Sequence, residues 1–360
     1  MIVAILIPTI DRPNYVLRQL EFYYKSKCKH PIYIGDSSSA KNHRELKKGV
    51  TQFDDFLDIH LFHWPEKNDR QTIKQLADQV SEKFCAFIGD DDFFIPSSIT
   101  KCANFLSENP DYSTAQGNAV IFRLNKQDLY GDVSQLHIYW DKYKNAEEDE
   151  LLNRLENFSR NYFVTQFSVH RTKEFIASCK NYKDVPDRSV AEYLHCFSFI
   201  ASGKSKFLDC LYLIRQDHSL RGQSSNSPNT AIENRLKSND WIRSSKMFVD
   251  TVSNYITKEG KVIESEAIKI AEECFTNVST PIDENDLFYQ SIKYLKSLIK
   301  KIPLLETFVR FFIKDQSRII KDFLKSPSMD ESYRFFESFI SSPSSIKTSC
   351  IEDKETLENV

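Results

Sequence analysis

The stretch from Lys83 to Pro96, KFCAFIGDDDFFIP, constrains this chain more than any other. It opens with a short apolar run, Phe84 to Ile88, the mark of a strand buried on both faces. Gly89 follows, then three consecutive carboxylates (Asp90, Asp91 and Asp92), two aromatics, and Pro96 placed to begin a helix. Adjacent aspartates at the carboxyl end of a buried strand repel one another. A fold tolerates that repulsion more readily where a cation sits, and hard divalent ions prefer carboxylate oxygens. In open α/β sheets the ligand crevice lies outside those same strand ends. A solvated turn between strand and helix is the plainer reading. The apolar strand before the acids and the apolar pair after them weigh against it.

At 360 residues the chain exceeds one small core, so two domains, or one with a sizeable appendage, are expected. A net charge of -3 offers no bulk electrostatic case for binding nucleic acid. Hydrophobic residues at 41%, with 27 Phe and 16 Tyr, suffice for a packed globule. The 8 cysteines include no CxxC pair and suit reduced thiols. The apolar start, Met1 to Ile7, lacks a basic region and is too short for a signal peptide, and no window reaches the length of a membrane span. The expected location is the cytoplasm.

Taken in order, Ile2 to Ile7 is an apolar strand stopped by Pro8-Thr9-Ile10-Asp11-Arg12-Pro13, and a helix follows from Asn14 to Lys25. Pro31 to Ile34 is a second strand ending in Gly35-Asp36, and a polar helix spans Asn42 to Lys48. Leu57 to His63 is a third strand, Asp69 to Phe84 a helix, and the aspartate-bearing strand comes fourth. Such alternation predicts an α/β fold, a mainly parallel sheet with helices on both faces. Gly35 and Gly89, two of only 8 glycines, each precede an aspartate at a strand end, where glycine permits close approach of a ligand. Thr9, Asp11, Asp36 and the triple aspartate then share one rim of the sheet.

The order Ile-Pro-Thr-Ile-Asp-Arg-Pro (7–13), Ile-Gly-Asp-Ser-Ser (34–38) and Phe-Ile-Gly-Asp-Asp-Asp (87–92) resembles the nucleotide-binding half of the GT-A fold glycosyltransferases, above all family 2 and its bacterial relatives. The likeness is good over 1–125 and looser over 126–220. It implies a Rossmann-like GT-A sheet that binds a nucleotide-sugar donor, UDP- or GDP-linked, through Thr9, Asp11, Arg12 and Asp36. It also implies a Mg2+ or Mn2+ ion on the donor diphosphate and a saccharide or lipid-linked acceptor. Family 2 members often read Asp-x-Asp-Asp after the apolar strand, and here Gly89 takes the first position. Either the motif shifts by one and Asp90 works with Asp92, or Asp91 and Asp92 are the pair. Asp92 is the expected metal ligand, with Asp90 on the ribose or a metal-bound water, and Asp91 among the donor contacts.

Tyr112 to Leu124 is a strand interrupted at Gln116-Gly117-Asn118, by a bulge or by a border of the sugar site. Residues 129–160 form an insert rich in Tyr, Trp and acidic residues, and Asn161 to His170 is another strand. A helix then ends at Gly203, and Lys206 to Arg215 is a strand. Inverting transferases of this fold carry an acidic general base at the head of such a helix. The resemblance points to Glu192, with Asp187 the alternative, against plainer roles as a surface residue and a helix cap. In the loop Arg215 to Arg221, Arg215 and Arg221 suit bidentate phosphate contacts and His218 suits a metal.

From Thr230 helical periodicity dominates, over 231–257, 264–277, 286–302, 305–324 and 330–339. The chain thus divides into a catalytic GT-A domain (1–228), a helical C-terminal domain (229–342) and an acidic tail (343–360). Lysines and bulky apolar residues alternate from Leu295 to Lys314. That suits helices packed on neighbours, or peripheral contact with the inner face of an anionic plasma membrane. Nothing in the pattern indicates an oligomeric state. The expected activity is metal-dependent, inverting glycosyl transfer in bacterial surface polysaccharide or glycan assembly, the pathway by family analogy. Two rivals stand beside it. A sugar nucleotidyltransferase usually begins with a glycine-rich basic loop, where this chain has Pro8 to Pro13 without glycine. A degenerate transferase fold serving as a scaffold is favoured by Gly89 and disfavoured by the intact aspartates and Glu192.

Overall fold

Apolar runs form the centre of a single sheet whose strand order sets where a ligand can sit. The computed structural model describes residues 1–126, 128–140, 145–218, 238–259, 261–279 and 327–342. Its strands are β1 (Ala4–Thr9), β2 (Ile32–Asp36), β3 (Ile59–His63), β4 (Phe84–Phe87), β5 (Phe93–Phe94), β6 (Tyr112–Leu124), β7 (Val133–Trp140), β8 (Val169–Arg171) and β9 (Lys204–Gln216). β1, β2 and β4 are buried almost throughout, as parallel strands covered on both faces must be. β3, half-buried along its length, forms one edge.

The strands β3-β2-β1-β4 run parallel. Beyond them the order continues β8-β6-β9-β5 with β7 beside β6. There β6 and β9 are parallel, while β8, β5 and β7 pair antiparallel. Because successive strands lie on opposite sides of β1, the crevice expected at a topological switch point opens over the ends of β1 and β4. Thr9 and the triple aspartate stand there.

Ten helices are described: α1 (Pro13–Lys25), α2 (Ala40–Val50), α3 (Asp69–Ala77), α4 (Pro96–Glu108), α5 (Leu151–Arg160), α6 (Thr172–Tyr182), α7 (Arg188–Ser202), α8 (Asn239–Lys258), α9 (Glu264–Ser279) and α10 (Pro327–Ser341). Prolines at the first turn start α1 and α4, and a reciprocal Asn68–Gln71 capping box starts α3. The later helices pack on the sheet's own layers. Phe248 of α8 meets Phe197 of α7 with ring centroids 4.9 Å apart. Phe336 of α10 lies against Phe93 and Phe122, at 5.3 and 4.9 Å. Their buried side chains join one continuous apolar cluster with those of the sheet.

Several expected elements change. The helix expected over 69–84 stops at Ala77. The strand expected over 161–170 pairs only from Val169, and the residues before it run irregularly. The insert over 129–160 contains β7 and α5, and α6 was not anticipated. Gly35 admits a helix instead of a ligand, since a Cβ there would lie 2.5 Å from Thr72 Cγ2 of α3. The interruption at Gln116-Gly117-Asn118 is a bulge, with register shifts against β9 on either side of Asn118. The helices expected over 286–302 and 305–324, the segment 295–314, the tail from 343 and Arg221 lie outside the described residues. No described helix is long and apolar enough to cross a membrane.

Candidate active site

The turn after β4 places three carboxylates in three different surroundings. Asp90 points back under the β1–α1 loop, where the Thr9 hydroxyl donates to its Oδ2 at 2.6 Å and Arg12 forms an ion pair with it. Burial pushes the Asp90 carboxyl up to about 6, with Arg12 opposing. Asp91 accepts from Arg12 Nη1 at 3.3 Å and meets His218 Nε2 at 3.0 Å through the same Oδ2. Asp92 accepts from Arg215 Nε at 2.8 Å and from the Gln216 amide at 3.0 Å. The antiparallel pairing of β5 with β9 makes that last contact, since Phe93 lies opposite Ile214. Burial works against the charge on Arg215, but Asp92, Tyr139 and Asp91 together outweigh it and raise the pKa.

The chain therefore supplies its own cations to the acid cluster. Beneath the cluster, Gln19 Nε2 donates to the carbonyls of Gly89 and Asp92 at 3.1 and 2.6 Å, fixing the turn from below. Gly89 leaves room for the acids, because a Cβ there would lie 2.9 Å from Asp91 Oδ1.

Asp91 and Asp92 face a cavity of about 510 Å3 that also receives Arg12, Arg215, Arg188 and Glu192; Asp90 is not among its lining residues. Of the two registers left open by the sequence, the one that pairs Asp91 with Asp92 has both carboxylates in the cavity. Glu192 enters from α7, accepting from the Tyr162 hydroxyl at 3.1 Å and from Gln166 Nε2 at 3.0 Å. Burial raises its pKa, with the Tyr162 bond and Arg215 opposing. His218 stacks on Tyr15, with ring centroids 5.3 Å apart, and reaches Asp91 alone of the three acids.

Asp187 goes elsewhere. It is the N-cap of α7, its Oδ1 accepting from the amides of Ser189 and Val190 at 2.9 and 3.0 Å, and it does not line the cavity. Asp187→Ala is therefore expected to lower stability by about 0.5–2 kcal/mol in denaturant unfolding. The rate of any reaction in the cavity should be unaffected. A loss of activity without a loss of stability would instead make Asp187 a reacting group.

The residues expected to hold a nucleobase have partners of their own. Asp11, in the left-handed region at φ 52°, accepts from the Ser39 amide at 3.0 Å and from Asn42 at 2.7 Å. The Asn42 bond holds its pKa below the usual carboxylate range. The Asp36 carboxylate is fully buried and bonded to the Ser38 amide (2.9 Å) and His43 Nδ1 (2.8 Å). Among the described residues, the His, Cys, Asp and Glu groups whose ligand atoms converge within 4.8 Å are Asp36, His43 and His63. The anticipated set of Asp90, Asp92 and His218 is not such a group. The two imidazoles stack face to face, 3.8 Å apart and 9° from parallel, so their in-plane lone pairs run side by side and do not meet on one ion.

No protein-family model matches the chain, and no curated protein matches it. Solved structures do. A structure of S. aureus TarS residues 1–349 in complex with UDP-GlcNAc superposes with a TM-score of 0.51 at 16% identity, covering 93% of this chain and 92% of that one. A longer TarS structure gives 0.50 at 14% identity, covering 92% of this chain and 55% of that one. This chain thus spans about half of the longer TarS. The fold is GT-A.

Within that GT-A fold, sequence reasoning missed Tyr162, Gln166, Phe167, Arg70 and Arg188, all gathered at or beside the cavity. One signal was present. Thr165, Gln166 and Ser168 interrupt the apolar residues of the segment 161–170, and such polar groups need buried partners. Gln166 finds Glu192, and Ser168 donates to Gln116 Oε1 at 2.8 Å.

Proposed function

We propose that this chain transfers a glycosyl group from a nucleoside-diphosphate sugar to a hydroxyl acceptor, with inversion at the anomeric carbon. The observation that carries this reading is Glu192 facing Asp91, Asp92 and Arg215 across one cavity at the switch point of a GT-A sheet. A UDP-linked donor is supported by the UDP-GlcNAc complex of the TarS structure sharing this fold. Residues 1–228 form the catalytic unit in this reading, and 229–342 support it.

Asp91 and Asp92 offer the cavity the carboxylate oxygens that hard divalent cations take, so the pair fits Mg2+ or Mn2+. Bound there, such an ion would neutralise charge growing on the leaving diphosphate. Arg12 and Arg215 bind phosphate oxygens through charge-assisted hydrogen bonds and orient the donor. Glu192 accepts the proton of the acceptor hydroxyl while that oxygen bonds to the anomeric carbon. The carbon–oxygen bond to the diphosphate breaks, and its electron pair leaves with the nucleotide. Tyr162 and Gln166 keep the Glu192 carboxylate aimed. The pathway best suited to the reaction is bacterial surface polysaccharide or glycan assembly.

Calorimetric titration with UDP- and GDP-sugars, with and without Mn2+, tests the reading alongside an assay for released nucleotide. Metal-dependent binding of one donor, and nucleoside diphosphate released in the presence of acceptor, is the expected result. Release of pyrophosphate from a nucleoside triphosphate and a sugar phosphate would identify a nucleotidyltransferase. Absence of any metal-dependent nucleotide binding would leave a scaffold.

A further inference from the structure

Strand register sets three polar residues abreast at the carboxyl ends of β1, β2 and β3: Thr9 beside Asp36, and Asp36 beside His63. Thr9 in turn bonds Asp90, so one polar row runs from the acid cluster to the edge of the sheet. Its span is three strand spacings, about 14 Å. That is on the scale of an extended nucleoside diphosphate with its phosphates at the acids and its base at the edge. A cleft of about 280 Å3 lies at that end between α2 and β3, with Val50, Ile59 and Leu61 as its apolar lining and His43, Lys47, Thr51, Asp54 and His63 as its polar lining. Apolar walls and polar edges of this kind suit a planar heterocycle.

Asp36 cannot read such a base directly, being fully buried with both oxygens engaged. Its partner can. A carboxylate only accepts, so the bond from His43 to Asp36 puts the proton on Nδ1 and leaves Nε2 of the neutral ring an acceptor. His63 Nε2 faces the Ser38 carbonyl at 2.9 Å and likewise carries the proton, leaving its Nδ1 an acceptor. The stacked pair thus offers acceptors, with the His43 side chain 19% exposed.

We propose that His43 Nε2 accepts the ring N–H of a uracil or guanine base, and that Asp36 is a positioning residue that sets the His43 tautomer. The proposal rests on the transferase reading above and names its base-specificity determinant. Cytosine N3 and adenine N1 carry no hydrogen at the matching position, so they leave the acceptor unpaired.

Calorimetry in Mn2+ with UDP, GDP, CDP, ADP and inorganic pyrophosphate tests it. The wild type should favour UDP or GDP over CDP and ADP by about tenfold, the scale of one unpaired buried acceptor. His43→Asn keeps a donor at the Nδ1 position for Asp36 but has nothing at Nε2. It should erase that preference and leave pyrophosphate affinity unchanged. Asp36→Asn can still accept from the Ser38 amide, while its Nδ2 donates to His43 Nδ1 and forces the proton to Nε2. Preference should then move toward CDP or ADP, a change that a merely structural role for Asp36 would not produce. Nucleotide binding without base preference, or preference retained in His43→Asn, overturns the proposal and leaves the transferase reading standing. Failure of the wild type to bind any nucleotide or pyrophosphate overturns both.

Discussion

Glu192→Gln should lower kcat by about 10²–10⁴, the usual contribution of a positioned general base, while donor affinity measured by calorimetry stays the same. The amide preserves side-chain volume and still accepts from Tyr162, and Gln166 has only to turn its own amide oxygen toward the new NH2, so the expected loss is mainly chemical. The wild-type pH profile supplies a second readout. A base works deprotonated, and burial raises the pKa of Glu192. The rate should therefore fall as pH drops through a midpoint above the ordinary carboxylate range, and level off above it. Glu192→Gln should remove that acid limb. If the variant keeps the wild-type rate, the base lies elsewhere and inversion through Glu192 is wrong.

Asp92→Asn should have two separable consequences. Asparagine can still accept the Gln216 amide, but it leaves Arg215 buried without its counter-charge. Breaking a buried pair from one side costs about 3–5 kcal/mol, which denaturant unfolding would register directly. Mn2+-dependent nucleotide binding should also disappear. The double variant Asp92→Asn with Arg215→Met separates the effects, because removing both charges relieves the unpaired one. Stability should largely return and metal-dependent binding should not. Recovery of both would place the cation away from Asp92.

The sheet was legible because its central strands are buried on both faces and so read as unbroken apolar runs, as at Ile5 to Ile7 and Phe84 to Ile88. Leu213 and Ile214 of β9 betrayed themselves similarly. The segment from Asn161 was not legible as irregular chain, because its polar residues are matched by partners far along the sequence. Residue type at a strand end marks Asp91 and Asp92 in the sequence, whereas Glu192 is singled out only by the resemblance to the GT-A glycosyltransferases. Which aspartates face the cavity depends on the turn at Gly89 and on the β5–β9 pairing, which local pattern does not encode. The return of His43 onto Asp36 was equally invisible. A histidine seven residues past a strand end reads as an ordinary residue of a polar helix until the helix direction is known.

The aromatic packing of α10 has a practical corollary for anyone trimming the protein. Phe336 and Phe339 close over Phe22 and Phe93, and Phe93 is the residue immediately after the last of the three acids. Gly131 also donates its amide to the Ile340 carbonyl at 2.8 Å. A truncation ahead of Pro327 would strip the apolar backing from the acidic turn itself. Inactivity of such a shortened chain would then report a collapsed donor floor, and would say nothing about whether the missing helices recognise the acceptor.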